Sequence, residues 1–199
     1  MKALKKSRSS SEFARRAGRP SPLRRQRGAS FLLLSLLLLL MPTLPFACAT
    51  SSGPVLAVEL KGPITPASDD IVVAALQEAK AGGFQAVMLL LDTPGGGLTE
   101  TYEILRQIEE TETPVIAYVH PEGAVAWSAG TLILISSDVA AMAPHCIIGS
   151  AQPVQLSPLG ETKPINDSKT TNAIVALIEE KARAHGRNTT AAKEFVVSN

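Results

Sequence analysis

Apolar and polar positions alternate along the chain in blocks whose periods predict an ordered succession of strands and helices. Val55 to Leu60 is a partly alternating run and predicts a strand. The stretch TPASDDIVVAALQEAKAGG predicts a helix. Thr65 or Ser68 suits its cap, Asp69 and Asp70 suit its positive end, and Gly82-Gly83 stop it. AVMLLLD, residues 86–92, is continuously apolar, as a strand covered on both faces would be. Leu98 to Glu110 predicts a helix with Tyr102, Leu105 and Ile108 on one stripe, and PVIAYVH, 114–120, predicts another buried strand. Ser128 to Ser137 fits a helix and Val139 to Met142 a short strand. Residues 149–167 look irregular, Asn172 to His185 predicts a helix ended by Gly186, and Asn188 suits the cap of one more. This β-α-β-α-β-α-β order argues for an α/β fold with a mainly parallel sheet and crossover helices.

Before these blocks lies a different kind of sequence. Residues 1–30 hold ten basic residues and one acid, and FLLLSLLLLLM, 31–41, follows at once. Eleven residues make a helix of roughly 16 Å, short of a hydrocarbon layer of roughly 30 Å. Pro42 and Pro45 break it, and Ala47-Cys48-Ala49 is a small-residue exit before Thr50. A basic start, a short apolar core and such an exit are the parts of a secretory signal. The expected organisation is therefore a signal peptide or N-terminal anchor over 1–49 and one folded domain over 50–199. The domain is expected outside the cytoplasmic membrane, exported across it or anchored to it. Removing the basic start leaves nine basic and seventeen acidic residues, a formal net of −8. The basic character thus belongs to the leader, which weakens a nucleic-acid reading.

Cysteine usage excludes further classes. With Cys48 in the leader, the domain keeps only Cys146, so neither an internal disulfide nor a CxxC metal pair is possible there. Cys146 sits in an apolar context and reads as core filling.

Four stretches remain that bear chemistry. Asp92-Thr93-Pro94-Gly95-Gly96-Gly97-Leu98 joins a buried strand to a helix. Its glycines permit positive φ and close backbone approach, and the free N–H groups at the helix start suit an anion. Without Gly-Lys-Ser/Thr or GxGxxG it is no nucleotide loop, and a plain βα turn is the alternative. Small residues surround Ser128, with Ala129-Gly130 after it; a sharp turn there would hold the hydroxyl outward beside free N–H groups, or Ser128 simply caps the helix. Lys169 opens a helical pattern, where the dipole disfavours an ammonium and a dry pocket would favour the neutral amine, a base for a serine hydroxyl; the alternative is a surface lysine. MAPHCIIGSAQPV, 142–154, reads as a strand leaving the core through a Gly-Ser turn and could wall a groove.

Taken together, in this order and spacing, DTPGGGL, the Ser-Ala-Gly step, MAP…IGSAQPV and a lysine opening a helix that ends in HGRN resemble the NfeD-type membrane serine proteases of the ClpP/crotonase superfamily. The resemblance covers about residues 54–199 and implies a ClpP/crotonase-like fold. It implies a serine–lysine dyad, with Ser128 the nucleophile and Lys169 the base; Lys163 does not match the motif position. It implies an oxyanion hole of the Gly96 N–H, with Gly95 as the other possibility in the turn, and the Ala129 N–H. An extended peptide would lie along Gly95, Gly97 and Leu98 by backbone pairing. Trp127 and Tyr118 are further candidates for the groove. Apolar peptide segments, from a stomatin-like membrane partner, are the implied substrate, and a homodimer the implied assembly. No metal, nucleotide or other cofactor is implied. Family members continue into a final piece of the protease domain, and long forms add transmembrane helices and a small β-barrel domain. The chain is accordingly read as an N-terminal protease domain cut short at its C-terminus.

Other readings stay in view. A Ser-His-Asp protease needs a histidine within reach of Ser128, and His120, His145 and His185 are all poorly spaced for it. Signal peptide peptidase A shares the serine–lysine logic and the Pro-Gly-Gly-Gly turn. A crotonase-fold acyl-CoA enzyme would share the oxyanion hole without needing Lys169, and a membrane scaffold would need neither.

Overall fold

The computed structural model describes residues 53–156, 162–165 and 167–198. The leader expected over 1–49 lies outside the described residues.

Eight strands and five helices are described: β1 (Val55–Lys61), α1 (Pro66–Gly82), β2 (Ala86–Asp92), α2 (Leu98–Glu110), β3 (Val115–Val119), β4 (Val125–Trp127), α3 (Ala129–Ser136), β5 (Val139–Met142), β6 (Ile147–Gly149), β7 (Val154–Leu156), β8 (Thr162–Pro164), α4 (Ser168–Ala184) and α5 (Thr189–Val197). The main sheet is parallel throughout, in the order β1-β2-β3-β5. Its central strands are the continuous apolar runs, and Val87, Leu89, Leu91, Val115, Ala117 and Val119 are fully buried. Parallel strands need long crossovers, and helices supply them; the alternate residues Met88, Leu90, Ile116 and Tyr118 are only half-buried, so the second sheet face is less covered than the continuous apolar runs imply. The expected α/β architecture is borne out.

A second layer is built from β4 and β6, paired in parallel from Val125↔Ile147 to Trp127↔Gly149. Each strand has three residues, too few to show a period; β4 is not evident from the sequence pattern, while β6 falls where 142–154 reads as a strand ending in a Gly-Ser turn. Between this layer and the main sheet runs α3, every residue of which is buried. A helix with no polar face can exist only in such an interior position. Burying a side chain such as Ile133, fully enclosed, contributes about 1.5–3 kcal/mol.

Three expectations need correction. The stripe of α2 that faces the core is Thr101, Ile104, Leu105 and Ile108; Tyr102 is exposed, because 3.6 residues per turn carry it off the face set by Ile104 and Ile108. The stretch 149–167 is not wholly irregular: β7 and β8 pair antiparallel, Val154↔Pro164 and Gln155↔Lys163. The fourth helix starts at Ser168 rather than Asn172, since Asp167 caps it and accepts from the N–H groups of Lys169 and Thr170. Lys169 is therefore inside the first turn. Asn188 caps α5 as expected, accepting from the Ala191 N–H at 3.1 Å.

Candidate active site

β2 ends at Asp92, and its continuation turns along the carboxyl edge of the sheet, the usual place for sites in parallel α/β folds. Two neighbours hold the turn. Ile64, from the loop after β1, donates its N–H to Gly95 O at 2.8 Å and accepts from the Gly97 N–H at 3.0 Å. A β-carbon on Gly96 would lie 2.1 Å from Ile64 O, so only glycine allows this approach. In this parallel pairing the N–H and C=O of Gly96 itself point away from Ile64. On the other side, Thr93 donates its N–H to Val125 O at 2.7 Å and accepts from the Trp127 N–H at 3.0 Å.

β4 delivers the chain to Ser128, which has φ 49° and ψ −111°. Non-glycine residues seldom adopt such a backbone, which costs of order 1–3 kcal/mol and clusters at functional sites. Ser128 occupies the N-cap position of α3, yet its side chain makes no capping hydrogen bond. The capping alternative thus loses its physical basis. The Ser128 N–H donates to Ser150 O at 3.1 Å. Among the described residues, the N–H groups of Gly96 and Ala129 have no acceptor. Small residues around the elbow are sterically required. A β-carbon on Gly130 would stand 2.7 Å from Thr93 Cγ2 and 3.1 Å from Ala126 Cβ.

Facing Ser128 is the segment 149–154. Gly149 has φ 122° and Ser150 φ 43°. Thr131, fully buried, fastens this segment to α3: its Oγ1 donates to Ala126 O at 2.8 Å and accepts from the Gly149 N–H at 3.1 Å. The Ala151 N–H donates to Phe195 O, tying the wall to α5.

A cavity of about 710 Å³ opens between these walls, mainly apolar in lining. Ser128, Ala129, Gly96, Gly97, Leu98 and Trp127 line it. Gly95 does not; it is buried behind the turn. Tyr118 does not either, and stacks on His120 with ring centroids 5.5 Å apart. Lys163 lies exposed on β8. Lys169 is exposed in the first turn of α4, between Ile165 and Ile174, which both line the cavity, but is itself outside the lining. No hydrogen bond joins it to Ser128 among the described residues. None of the three histidines lines the cavity, so the Ser-His-Asp alternative has no base at hand. Cys146 packs against the core, with Sγ 3.2 Å from Pro121 O, as core filling would.

Sequence reasoning missed Thr93 and Thr131, buried hydroxyls that bind the site's walls together. Their signal was a threonine directly after, or inside, an apolar run.

With this geometry in hand, similar proteins can be compared. Residues 55–198 match the family described as NfeD1b, N-terminal domain. The membrane-bound protease PH1510 of Pyrococcus horikoshii is 34% identical over 172 residues, 84% of this chain. The chain spans 37% of the length of that relative. A serine-to-alanine variant of the 1510-N membrane-bound stomatin-specific protease superimposes with a TM-score of 0.69 at 36% identity, covering 73% of this chain and 70% of that one. A lysine-to-alanine variant in complex with a substrate peptide gives 0.70 at 35% identity, covering 74% and 67%. The ClpP catalytic domain of Plasmodium falciparum, at 14% identity and a TM-score of 0.54 over 72% and 74% of the two chains, shares the fold. The chain belongs to the NfeD1b N-terminal-domain family, with a ClpP-like fold.

Proposed function

We propose that this domain is a serine endopeptidase that cleaves apolar peptide segments through a Ser128–Lys169 dyad. The observation that carries the reading is Ser128: a strained, uncapping serine at a helix start, on a mainly apolar cavity, beside two N–H groups without acceptors. The relatives support the lysine. The serine and lysine replaced in the two 1510-N structures lie 41 positions apart, the same separation as between Ser128 and Lys169.

In the proposed reaction, Lys169 Nζ takes the proton of Ser128 Oγ as the oxygen attacks the peptide carbonyl carbon. The N–H groups of Gly96 and Ala129 hold the resulting oxyanion, each worth about 2.7–4 kcal/mol in a comparable site. Collapse breaks the C–N bond, Lys169 returns the proton to the leaving amine, and water then hydrolyses the acyl-enzyme with Lys169 again as base. Lys169 is exposed in the free domain, and in the proposed reaction it reaches Ser128 from the helix start beside the cavity. Gly97 and Leu98 line the cavity where the peptide would run, while Gly95 supports the turn from behind.

The relative 1510-N is specific for a stomatin homologue, and PH1510 is membrane-bound. By that likeness the substrate here is an apolar segment of a stomatin-like partner, cleaved at the membrane's outer side by a homodimer. No helix of the described residues is long and apolar enough to cross a membrane.

The test is cleavage of a panel of apolar peptides by the wild type, Ser128→Ala and Lys169→Ala. Loss in both variants, with peptide binding retained, supports the dyad. Cleavage by Ser128→Ala at the wild-type rate overturns the hydrolase reading. Unchanged cleavage by Lys169→Ala overturns the dyad alone.

A further inference from the structure

Thr93 touches both the elbow and the turn, and each contact is made by a different part of the residue. It is fully buried directly after β2. Its main chain pairs with β4 on both sides of Ala126, which fixes the strand leading into Ser128. Its hydroxyl accepts from the Gly95 N–H at 3.0 Å and lies 3.3 Å from Gly95 O, to which it donates. Its methyl lies over Gly130 in the first turn of α3, leaving no room for a β-carbon there.

Two of these contacts bear on catalysis. The hydroxyl grips the peptide unit next to Gly96. The methyl presses on the residue next to Ala129. Gly96 and Ala129 carry the two free N–H groups, which come from different elements and share no direct hydrogen bond. Oxyanion donors act only within about 2.7–3.1 Å of the developing charge, so their mutual spacing must be held to tenths of an ångström. The backbone of Gly95, at φ 105°, has no steric preference of its own that would hold it there.

We infer that Thr93 is a positioning residue for the proposed hydrolysis: its hydroxyl and methyl together set the distance between the Gly96 and Ala129 N–H groups. The inference rests on the reading of Ser128 as nucleophile. Thr93 never meets the substrate. It acts through the turn on one side and the elbow on the other.

The roles of its two branches separate by substitution. Thr93→Val keeps the shape and removes the hydroxyl, leaving the buried Gly95 N–H without its acceptor. Thr93→Ser keeps the hydroxyl and removes the methyl. With an apolar peptide that the wild type cleaves, Thr93→Val should lower kcat at least about tenfold while KM changes less than about twofold, and Thr93→Ser, which regains the hydroxyl but lacks the methyl, should restore part of the loss. A second pair reads the methyl. Gly130→Ala should lose activity through contact with Cγ2, and Thr93→Ser/Gly130→Ala should regain part of it. Thermal melts identify the folded fraction of each variant, and kcat is referred to that fraction. Equal kcat in Thr93→Val and wild type overturns the inference and leaves Ser128 untouched. So does a double variant no more active than Gly130→Ala together with a Thr93→Ser variant no better than Thr93→Val. Full cleavage by Ser128→Ala would instead remove the hydrolase reading and this inference with it.

Discussion

Gly95 lies against Ser128 so closely that a β-carbon on the glycine would stand 2.6 Å from Ser128 Cβ and 3.2 Å from Oγ. The turn and the elbow are therefore in direct contact at the one atom whose position matters most. Gly95→Ala should cost activity twice over, through its φ of 105° and through displacement of the serine. We expect kcat/KM with an apolar peptide to fall roughly a hundredfold, the cost of an ångström-scale misplacement. Activity within threefold of wild type would mean that the contact is not tight in solution.

Asp167 fixes the start of the helix that carries Lys169. Its carboxylate is held below the usual range by the Thr170 hydroxyl, by the Thr170 N–H and by the Lys169 N–H. The folded state thus favours the ionised form. That stabilisation is present above the unfolded value of 3.8 and is lost as pH falls through the lower folded value. Asp167→Ala should fray the first turn of α4, reducing peptide cleavage severalfold near neutral pH with little change in Tm. Hydrogen exchange of the Lys169 and Thr170 amides would show whether the turn has opened.

Asp69 behaves in the opposite sense. Burial, then the neighbouring charges of Glu103 and Asp70, raise its pKa, and its Oδ1 is buried with no partner among the described residues. A raised folded value means the native state holds this proton more tightly than the unfolded chain. Its contribution to stability is greatest below 3.8 and declines as pH rises through the folded value. Asp69→Asn should raise Tm by a few degrees at pH 7 and remove that part of the pH dependence. A lower Tm at pH 7 would contradict the sign.

Lys181 is an ammonium held inside the helical layer. Burial acts to lower its pKa, but bonding to Glu109 and Glu180 wins and the pKa is raised. Its contribution is therefore complete below 10.5 and is lost only as pH rises through the folded value. Removing Glu109 leaves Lys181 with Glu180 alone, at 2.9 Å, so Glu109→Gln should destabilise by about 1–3 kcal/mol. That range lies between exposed and fully buried pairs, since the Glu109 side chain is 43% exposed. Lys181→Met should cost less, because it removes the buried charge itself. Urea unfolding of the two variants ranks them.

The parts of this fold legible in the sequence are those whose burial is set by local period. β2 and β3 are unbroken apolar runs, and Gly83 at φ 66° ends α1 at the double glycine. What stayed hidden depends on distant partners. Val125–Trp127 is a strand only because Ile147–Gly149 lies beside it. The start of α4 differs from the sequence expectation for another reason: its apolar period begins near Ile174, whereas the helix is opened by its cap Asp167, a polar signal that lies outside that period. At the site, the expected Ser128, Ala129, Gly96, Gly97, Leu98 and Trp127 share one cavity while Gly95, Tyr118 and Lys169 lie outside its lining, and the sequence leaves open whether Ser128 caps or reacts. That choice sits in one backbone angle, which no side-chain pattern encodes. The surroundings of Lys169 were equally invisible, since solvation depends on what packs over a helix end.

The Ile64–Gly96 pairing limits how this turn can read a ligand. With Gly95 O and the Gly97 N–H already engaged by Ile64, those two groups are closed to a docking chain, whereas Gly96 keeps its own N–H and carbonyl free of Ile64. In the proposed reaction, selectivity then rests largely on how well apolar side chains fill the hollow. A protease built this way would sort its targets by shape and oiliness, with little regard for the letters of the sequence.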